Sequence, residues 1–222
     1  MIITIDGPAG TGKSTVAKQF AGAIGFTYFD TGALYRAISW SILDQNIIYK
    51  DEEALSTLLK TFTFRIRTIE GEKRYFVGSR DVTNEIRTKE VTAIVSEVAA
   101  LKKVRDALKP IQVNFGKEID VVFEGRDLGT VVFPHAHLKF FLTARPEIRA
   151  KRRYQELVKK FPDQSFSYGT ILKEIEERDT YDSQRELAPL KCAEDAILVD
   201  TSDLTIEEVT ARLKEIYLEK KK

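Results

Sequence analysis

The most constraining feature of this sequence is an octet near its start, where residues 7–14 read Gly-Pro-Ala-Gly-Thr-Gly-Lys-Ser. Two glycines followed by Lys and Ser at this spacing are typical of a loop that wraps a phosphate chain. Such a loop must curl with its N–H groups pointing inward, which requires positive φ angles and no Cβ in the way. Lys13 then supplies a mobile positive charge, and the Ser14 hydroxyl offers an oxygen to a magnesium ion.

The residues around the octet supply the setting that a phosphate loop needs. Residues 1–6 form an apolar run that predicts a buried strand, and residues 15–24 carry Val16, Phe20 and Ile24 four apart, which predicts a helix. The positive end of that helix dipole would face the bound phosphates. An ordinary glycine-rich turn is the alternative, and the order strand, loop, helix argues against it.

Composition limits the partners and the compartment of the chain. Its 222 residues allow one large domain or a core with a small insert. The sequence has 35 basic and 34 acidic side chains, so its net charge is close to zero. Binding to nucleic acid or to an anionic membrane is favoured by excess positive charge, and we expect neither as a partner. Cys192 is the only cysteine, which fits a reducing compartment, and no segment approaches roughly 20 apolar residues. We therefore expect a cytoplasmic protein.

The first half of the chain begins with alternating strands and helices and then departs from that rhythm. Residues 26–29 predict a second strand and residues 33–43 a helix. Alternating apolar residues over 62–66 and 74–77, with Glu-Gly-Glu between them, predict a hairpin. Residues 91–108 predict one long helix that Pro110 kinks or ends.

The second half returns to the alternating pattern. The predicted elements are strands at 121–123, 139–142 and 196–199, helices at 146–160, 167–184 and 205–218, and a solvated tail at 220–222. The whole pattern predicts an α/β fold with a mostly parallel sheet covered by helices on both faces. Residues 1–60 and 109–222 would form this core, and residues 61–108 would be inserted into it. Ligands should gather at the carboxyl ends of the strands.

Residues 30–36, which read Asp-Thr-Gly-Ala-Leu-Tyr-Arg, follow the second predicted strand and enter a helix. A hydroxyl at Thr31 and a guanidinium at Arg36 would suit a second anion. Plain helix capping by Asp30 or Thr31, with Arg36 in solvent, explains the same residues equally well.

Residues 124–127, which read Glu-Gly-Arg-Asp, directly follow a predicted central strand and so lie at the ligand edge of the sheet. Arg126 suits bidentate contact with phosphate, while Asp127 could accept hydrogen bonds from ribose hydroxyls or hold magnesium through water. A buried structural pair of Arg126 and Asp127 is the alternative.

Two clusters of charged residues lie on the predicted helices that follow. Arg178, Asp182 and Arg185 are spaced to share one face, either as ligand contacts or as a surface ion-pair ladder. A basic run precedes them, consisting of Arg145, Arg149, Lys151, Arg152 and Arg153. A solvated helix face is the default interpretation of that run. Beside a phosphate loop, however, the two groups favour a closing lid whose arginines neutralise a transferring phosphoryl group.

Taken in order, the octet, residues 30–36, the run Glu-Gly-Arg-Asp-Leu-Gly-Thr-Val-Val-Phe-Pro at 124–134 and Arg-Asp-x-x-Asp-x-x-Arg at 178–185 resemble the bacterial cytidylate kinases. The resemblance extends from residue 2 to about residue 213. It implies a P-loop kinase core, a nucleoside monophosphate-binding insert at 61–108 and a short lid at about 145–168. It also implies transfer of the terminal phosphoryl group of ATP to CMP or dCMP in pyrimidine nucleotide metabolism.

The resemblance assigns roles to residues of this chain. ATP phosphates and Mg²⁺ would lie at Gly7, Pro8, Ala9, Gly10, Thr11, Gly12, Lys13, Ser14 and Thr15, with Ser14 on the metal. The acceptor would be held by Thr31, Arg36, Ser96, Arg105, Arg126, Asp127, Arg178, Asp182 and Arg185. Among these, Asp127 would face the ribose, and Ser96, Arg105 and Asp182 would read the base, with Asp182 accepting from the exocyclic amine of cytosine. Independently of the resemblance, Lys13 and the lid arginines should carry catalysis, and the predicted catalytic residues are Lys13, Arg152 and Arg178.

The mechanism follows from the acceptor chemistry. A phosphate monoester has its second ionisation near pH 6, so its attacking oxygen needs no general base at neutral pH. Positioning and charge stabilisation would then suffice, with Mg²⁺ as the cofactor. His135 and His137 are assigned no chemistry, because a third metal ligand is missing and a loop or packing role is the better interpretation.

Two alternatives remain at the level of sequence. A kinase of the same architecture could act on AMP, UMP or dTMP. A nucleotide-driven switch is the second alternative, although the Asn-Lys-x-Asp signature of guanine-specific switches is missing from the sequence. We expect a monomer that binds small nucleotides.

Overall fold

The computed structural model of the protein describes residues 1–117 and 119–221. The chain divides into two compact units, one formed by Met1–Phe29 with Phe115–Lys222 and the other by Asp30–Asn114. We refer to them as the sheet unit and the hairpin unit. The predicted assignment of residues 61–108 as an inserted substrate-binding region, and of about 145–168 as a lid, stays a prediction.

Strands and helices alternate through most of the chain. The strands are β1 (Ile2–Asp6), β2 (Thr27–Asp30), β3 (Phe64–Ile69), β4 (Glu72–Val77), β5 (Arg80–Asp81), β6 (Val121–Glu124), β7 (Leu138–Thr143) and β8 (Ile197–Asp200). The helices are α1 (Lys13–Ile24), α2 (Thr31–Asp44), α3 (Glu52–Thr61), α4 (Lys89–Ala100), α5 (Lys102–Phe115), α6 (Pro146–Lys160), α7 (Tyr168–Gln184) and α8 (Ile206–Lys221). A 3₁₀ turn at Glu85–Arg87 and a π-helical turn at Leu128–Val132 complete the regular structure.

The sheet unit is built on a five-stranded sheet in the order β2-β6-β1-β7-β8. β1 lies in its centre and pairs in parallel with β6 and with β7, which in turn pairs in parallel with β8. A central parallel strand is buried on both faces, which explains the almost unbroken apolar run of β1. The carboxyl ends of β1 and β6 meet at one edge, where the phosphate loop and residues 124–127 begin.

Helices pack on both faces of this sheet. On one face Phe20 of α1 contacts Phe140 of β7 and Tyr217 of α8, with ring centroids 5.8 and 6.2 Å apart. On the other face the Phe123 ring lies 5.2 Å from that of Phe29, while Phe115, the last residue of α5, lies 4.5 Å from Phe29. The predicted α/β class with a covered parallel sheet is therefore confirmed.

The hairpin unit contains the antiparallel sheet β3-β4-β5. Glu70 and Gly71 form its turn, with φ angles of 53° and 79°. A two-residue hairpin turn needs positive φ at both positions to match the twist of the strands. Buried Tyr75 packs with Ala33, Ala37 and other apolar residues of this unit. The predicted hairpin is confirmed, whereas α3 and β5 were not predicted.

The helix predicted over residues 91–108 was wrong in its continuity, since α4 and α5 are separate helices with Leu101 extended between them. In one continuous helix Val104 would point about 120° away from Val98. The break allows both side chains to be fully buried. Pro110 does not end the helix, because α5 continues to Phe115.

The C-terminal end also differs from the prediction. α8 extends to Lys221, so Lys220 and Lys221 are helical as well as exposed. Lys222, the last residue of the predicted tail, lies outside the described residues.

Candidate active site

Residues 7–12 of the octet fold as a loop with three glycines at positive φ, namely Gly7 at 145°, Gly10 at 78° and Gly12 at 85°. A Cβ on Gly7 would collide with the Leu142 carbonyl of β7, and one on Gly10 would lie 2.9 Å from Cβ of Arg149. Glycine is therefore required by both conformation and space. α1 begins directly after the loop at Lys13, so its N-terminal end faces the loop as predicted.

Lys13 is 4% exposed and folds back over the loop. Its Nζ donates to the Pro8 carbonyl at 2.6 Å and lies 3.5 Å from Oγ1 of Thr11. Burial, followed by repulsion from Arg126, lowers the pKa of Lys13 to about 7, although Glu124 acts in the opposite direction. The ammonium is thus held inside the loop in this structure, and an arriving phosphate oxygen would replace a neutral carbonyl as its partner.

The Ser14 hydroxyl donates to Oε2 of Glu124 at 3.1 Å, and the Tyr28 hydroxyl donates to the same oxygen at 3.2 Å. Glu124 is 6% exposed at the carboxyl end of β6. Within residues 1–117 and 119–221, no group of three or more His, Cys, Asp or Glu is placed to hold a metal ion. A hydroxyl and one carboxylate nevertheless suit Mg²⁺, which keeps several waters and takes its other ligands from substrate phosphates.

Three arginines of the sheet unit surround Asp182, which is 3% exposed. The Nε atoms of Arg126 and Arg178 lie 3.5 and 3.9 Å from its Oδ2, and Nη1 of Arg185 lies 3.9 Å from its Oδ1. Nη2 of Arg185 also lies 3.4 Å from Oδ1 of Asp127. We call these five residues the arginine cluster. Arg126 and Arg178 repel each other within this cluster, which favours an added anion.

Two donors of the arginine cluster are buried without a hydrogen-bond partner among the described residues, namely Nε of Arg126 and Nε of Arg178. Burial, followed by repulsion from Arg126, lowers the pKa of Arg178 to about 10. A bound anion would accept hydrogen bonds from both Nε donors and would stabilise the positive charge of Arg178. The surface ion-pair ladder predicted as an alternative does not fit, because the carboxylate at its centre is buried.

The hairpin unit carries four of the predicted acceptor contacts. Thr31 is the buried first residue of α2, and Asp30 caps that helix by accepting from the Ala33 N–H at 2.9 Å. Arg36 does not lie in solvent, since its Nη1 donates to the Thr92 hydroxyl at 2.8 Å. The capping alternative is thus confirmed for Asp30 and wrong for Arg36.

The other two candidates of the hairpin unit lie on α4 and α5. Arg105 donates to the Ala99 carbonyl at 3.0 Å, and its guanidinium carbon lies 5.7 Å from the centre of the Tyr35 ring. Ser96 is half-buried on α4. Their contacts with a nucleotide base stay predictions.

Comparison with known proteins decides the family. Residues 3–219 match the family model described as cytidylate kinase. The chain belongs to the cytidylate kinase family. A cytidylate kinase from Protochlamydia amoebophila is 52% identical over 217 residues, covering 97% of this chain and 95% of that protein. The one from Bacillus subtilis is 45% identical over 218 residues, covering 98% and 96%. A solved shikimate kinase from Bacteroides thetaiotaomicron is 16% identical, with a TM-score of 0.48 and coverage of 98% of both chains.

The resemblance to the cytidylate kinases that the motifs indicated is therefore confirmed over nearly the whole chain. No described helix, in residues 1–117 or 119–221, is both long enough and apolar enough to cross a membrane.

Arg152, which was predicted to be catalytic as one of the lid arginines, donates to a different set of partners from the arginine cluster. Its guanidinium donates to the Thr201 carbonyl at 2.5 Å, to the Thr201 hydroxyl at 3.1 Å and to the Leu204 carbonyl at 3.3 Å. Arg178, in contrast, is close enough to Lys13 for the two charges to repel each other. A catalytic role of Arg152 stays a prediction, and it would require the side chain to leave these acceptors.

The solvated-face interpretation of the basic run was wrong for Arg149, which is 4% exposed. Its guanidinium donates to the Ala144 carbonyl at 2.9 Å, to the Ala9 carbonyl of the phosphate loop at 3.0 Å and to Asp179 of α7. Lys151 is exposed, as that interpretation predicts.

His137 fits the packing role given to it. Its Nδ1 accepts a hydrogen bond from the Ile2 N–H at 3.0 Å, which ties the residue to the start of β1. The role of His135 stays a prediction.

Glu124 was not predicted to have a role of its own, although it is the first residue of the segment 124–127. The available signal was a carboxylate directly after an apolar strand, since that position faces the ligand edge of a parallel sheet. Its contact with Ser14 joins residues 110 positions apart in the chain, so residue spacing alone did not reveal it.

Proposed function

We propose that the protein is an ATP-dependent kinase that transfers the terminal phosphoryl group of ATP to CMP or dCMP, giving ADP and CDP or dCDP. The observation that carries this function is the pair of unpartnered Nε donors, those of Arg126 and Arg178, beside the buried lysine of a phosphate loop. Transfer between two nucleotides brings the phosphates of ATP and of the acceptor together, and positive groups on both sides are needed to hold them. A site for one nucleotide needs only the phosphate loop.

The ATP phosphates are held by the backbone N–H groups of residues 7–15 and by the N-terminal end of α1. Lys13 gives up the Pro8 carbonyl and takes phosphate oxygens instead. An anionic oxygen stabilises the ammonium better than a neutral carbonyl does. Phosphate binding should therefore raise the pKa of Lys13, which burial lowers in this structure.

Mg²⁺ is the proposed cofactor, held by the Ser14 hydroxyl and, through water, by the Glu124 carboxylate. When bound, it would neutralise negative charge on the ATP phosphates as the terminal phosphoryl group is transferred. Tyr28 keeps the Glu124 carboxylate oriented toward Ser14 by donating to the same oxygen.

The acceptor phosphate binds to the free Nε donors of Arg126 and Arg178. Its oxygen is already unprotonated at neutral pH, so these residues need only hold it in line with the phosphoryl group. Lys13 and Arg178 are the proposed catalytic residues, because their charges lie near each other on the path of the transferred group. Both strengthen their contacts as negative charge develops.

The acceptor sugar and base are assigned to Thr31, Arg36, Ser96, Arg105, Asp127, Asp182 and Arg185. Asp182 accepts from the exocyclic amine that distinguishes cytosine from uracil. Its carboxylate can do so because the contacts with its arginines, at 3.5 to 3.9 Å, are longer than hydrogen bonds and leave lone pairs for a ligand donor. Asp127 accepts from the ribose.

An acceptor panel tests the proposal. Purified protein is incubated with ATP, Mg²⁺ and one of CMP, dCMP, UMP, AMP or dTMP, and the products are separated by chromatography. We expect CMP and dCMP to be converted with the highest kcat/KM. A preference for AMP or dTMP would contradict the assignment, and slow ATP hydrolysis with no acceptor turnover would favour a nucleotide-driven switch.

The remaining expectations concern assembly and compartment. The protein is proposed to act in the cytoplasm as a monomer, with no nucleic acid or membrane partner. Light scattering at micromolar concentration tests the oligomeric state.

A further inference from the structure

Asp6 is the last residue of β1, and its side chain is one of the few buried carboxylates of the sheet unit, at 5% exposure. Both of its oxygens accept hydrogen bonds from consecutive backbone N–H groups. Oδ1 accepts from Leu128 at 3.0 Å, and Oδ2 accepts from Gly129 at 2.8 Å.

These two bonds close a short loop that starts from the sheet. β1 and β6 run side by side, and their ladder ends with the Gly125 N–H donating to the Ile5 carbonyl at 3.0 Å. The chain then leaves the sheet and is held again at residues 128 and 129 by Asp6. Arg126 and Asp127 lie between the two anchors, and no other residues do.

Gly129 packs closely against the Asp6 carboxylate. A Cβ built on Gly129 would lie 3.4 Å from Oδ2 of Asp6, 3.3 Å from the Thr4 hydroxyl and 3.1 Å from Cδ of Lys139. The backbone of residue 129 can approach the end of β1 this closely because it carries no side chain. The two hydrogen bonds of Asp6 therefore tie the segment after Asp127 directly to β1.

We propose that Asp6 is a positioning residue that sets the placement of Arg126 and Asp127, and through them of the acceptor nucleotide. The inference rests on the proposed function, because that function makes Arg126 and Asp127 acceptor contacts. Asp6 directly precedes Gly7, the first residue of the phosphate loop. One residue thus joins the strand that carries the ATP loop to the segment that carries the acceptor contacts.

The kinetic test uses Asp6→Asn, which keeps the shape but directs an amide NH₂ at one of the two backbone donors. A displaced acceptor segment should raise the KM for CMP about 10-fold or more and lower kcat, with the KM for ATP changed less than about threefold. Asp51→Asn is the matched control, since Asp51 accepts from the Glu53 and Ala54 N–H groups at the start of α3 and has no proposed site role. A fall in kcat with both KM values unchanged, matched by a loss of folded protein, would mean a scaffold role and overturn the proposal.

A double variant tests whether Asp6 acts through Arg126. If it does, Asp6→Asn combined with Arg126→Lys should lose little more kcat/KM for CMP than Arg126→Lys alone. Losses that multiply would show that the two residues act independently, which contradicts a positioning role.

Amide hydrogen exchange gives a readout that does not depend on activity. In Asp6→Asn the Leu128 and Gly129 amides should exchange at least about 10-fold faster, while those of β6 keep their rates. Unchanged exchange overturns the proposal, and so does faster exchange with wild-type KM and kcat. If the wild-type protein fails to phosphorylate CMP, the proposed function fails first, whatever the exchange rates are.

Discussion

The Ser14 hydroxyl and the Glu124 carboxylate are joined by a hydrogen bond of 3.1 Å, although 110 residues separate them in the chain. The bond is possible because β6 lies directly beside β1 in the sheet, so the segments that follow both strands meet at one edge. The Ser14 hydroxyl, which we propose as a ligand of Mg²⁺, is in this way oriented by a buried carboxylate.

We expect Glu124→Gln to weaken the use of magnesium, because the amide keeps the shape but loses the charge that attracts a hydrated cation. Activity measured against Mg²⁺ concentration should require about 10-fold to 100-fold more metal. Tyr28→Phe is the matched control, since it removes the other donor to the same oxygen and leaves the carboxylate in place. An equal shift in both variants would assign the effect to packing.

Lys13→Met should remove most of the activity and little of the stability. The side chain makes one short bond, to the Pro8 carbonyl, and its burial holds the pKa of the ammonium at about 7. Methionine therefore removes the free-energy cost of burying the charge, and this gain offsets the loss of the hydrogen bond. We expect kcat to fall at least about 100-fold to 1,000-fold, with an unchanged melting temperature by calorimetry. A large drop in melting temperature would contradict this account.

The local parts of the fold were predictable from the sequence, and the long-range contacts were not. The loop at 7–14 is a local structure that glycines at fixed positions dictate, and the hairpin turn at Glu70 and Gly71 is another. In contrast, the bonds from Asp6 to residues 128 and 129 depend on which strands are neighbours, and the hydrophobic pattern does not specify strand order.

The break at Leu101 and the missed helix α3 differ in their sequence signals. Leu and Lys are good helix formers, so nothing local ends α4, and only the burial of Val98 and Val104 on separate helices decides the break. For α3 the signals were present, since Asp51 caps a helix whose Leu55 and Leu58 are buried. The acidic residues Glu52 and Glu53 in its first turn also favour a helix, so α3 could have been predicted from the sequence.

Asp182→Asn should reduce the preference for CMP over UMP. The amide presents a donor as well as an acceptor, so it no longer reads the exocyclic amine of cytosine alone, and three arginines lose a shared counter-charge. The ratio of kcat/KM values for CMP and UMP measures the effect. Asp179→Asn is the control on the same helix, because it breaks the pair with buried Arg149 and should lower stability while leaving selectivity unchanged.

Titration of Asp6 should contribute to the pH dependence of the free energy of unfolding. Burial raises the pKa of Asp6 from 3.8 to about 7, against the lowering effect of its two backbone bonds and of Lys13, while Asp127 raises it further. Cys192 also lies close enough for its charge to interact with the carboxylate. A carboxyl group with a higher pKa in the folded state favours folding at low pH, and this contribution is lost as the pH rises from about 4 to about 7.

Asn at position 6 cannot titrate, so comparison of the two proteins isolates this contribution. The free energy of unfolding of the wild type minus that of Asp6→Asn should fall between pH 4 and pH 7 by up to about 4 kcal/mol, which corresponds to a pKa difference of about three. Urea denaturation at half-unit pH intervals measures it. A difference that stays flat would mean that Asp6 is ionised throughout the range, because its two backbone bonds and Lys13 then outweigh burial.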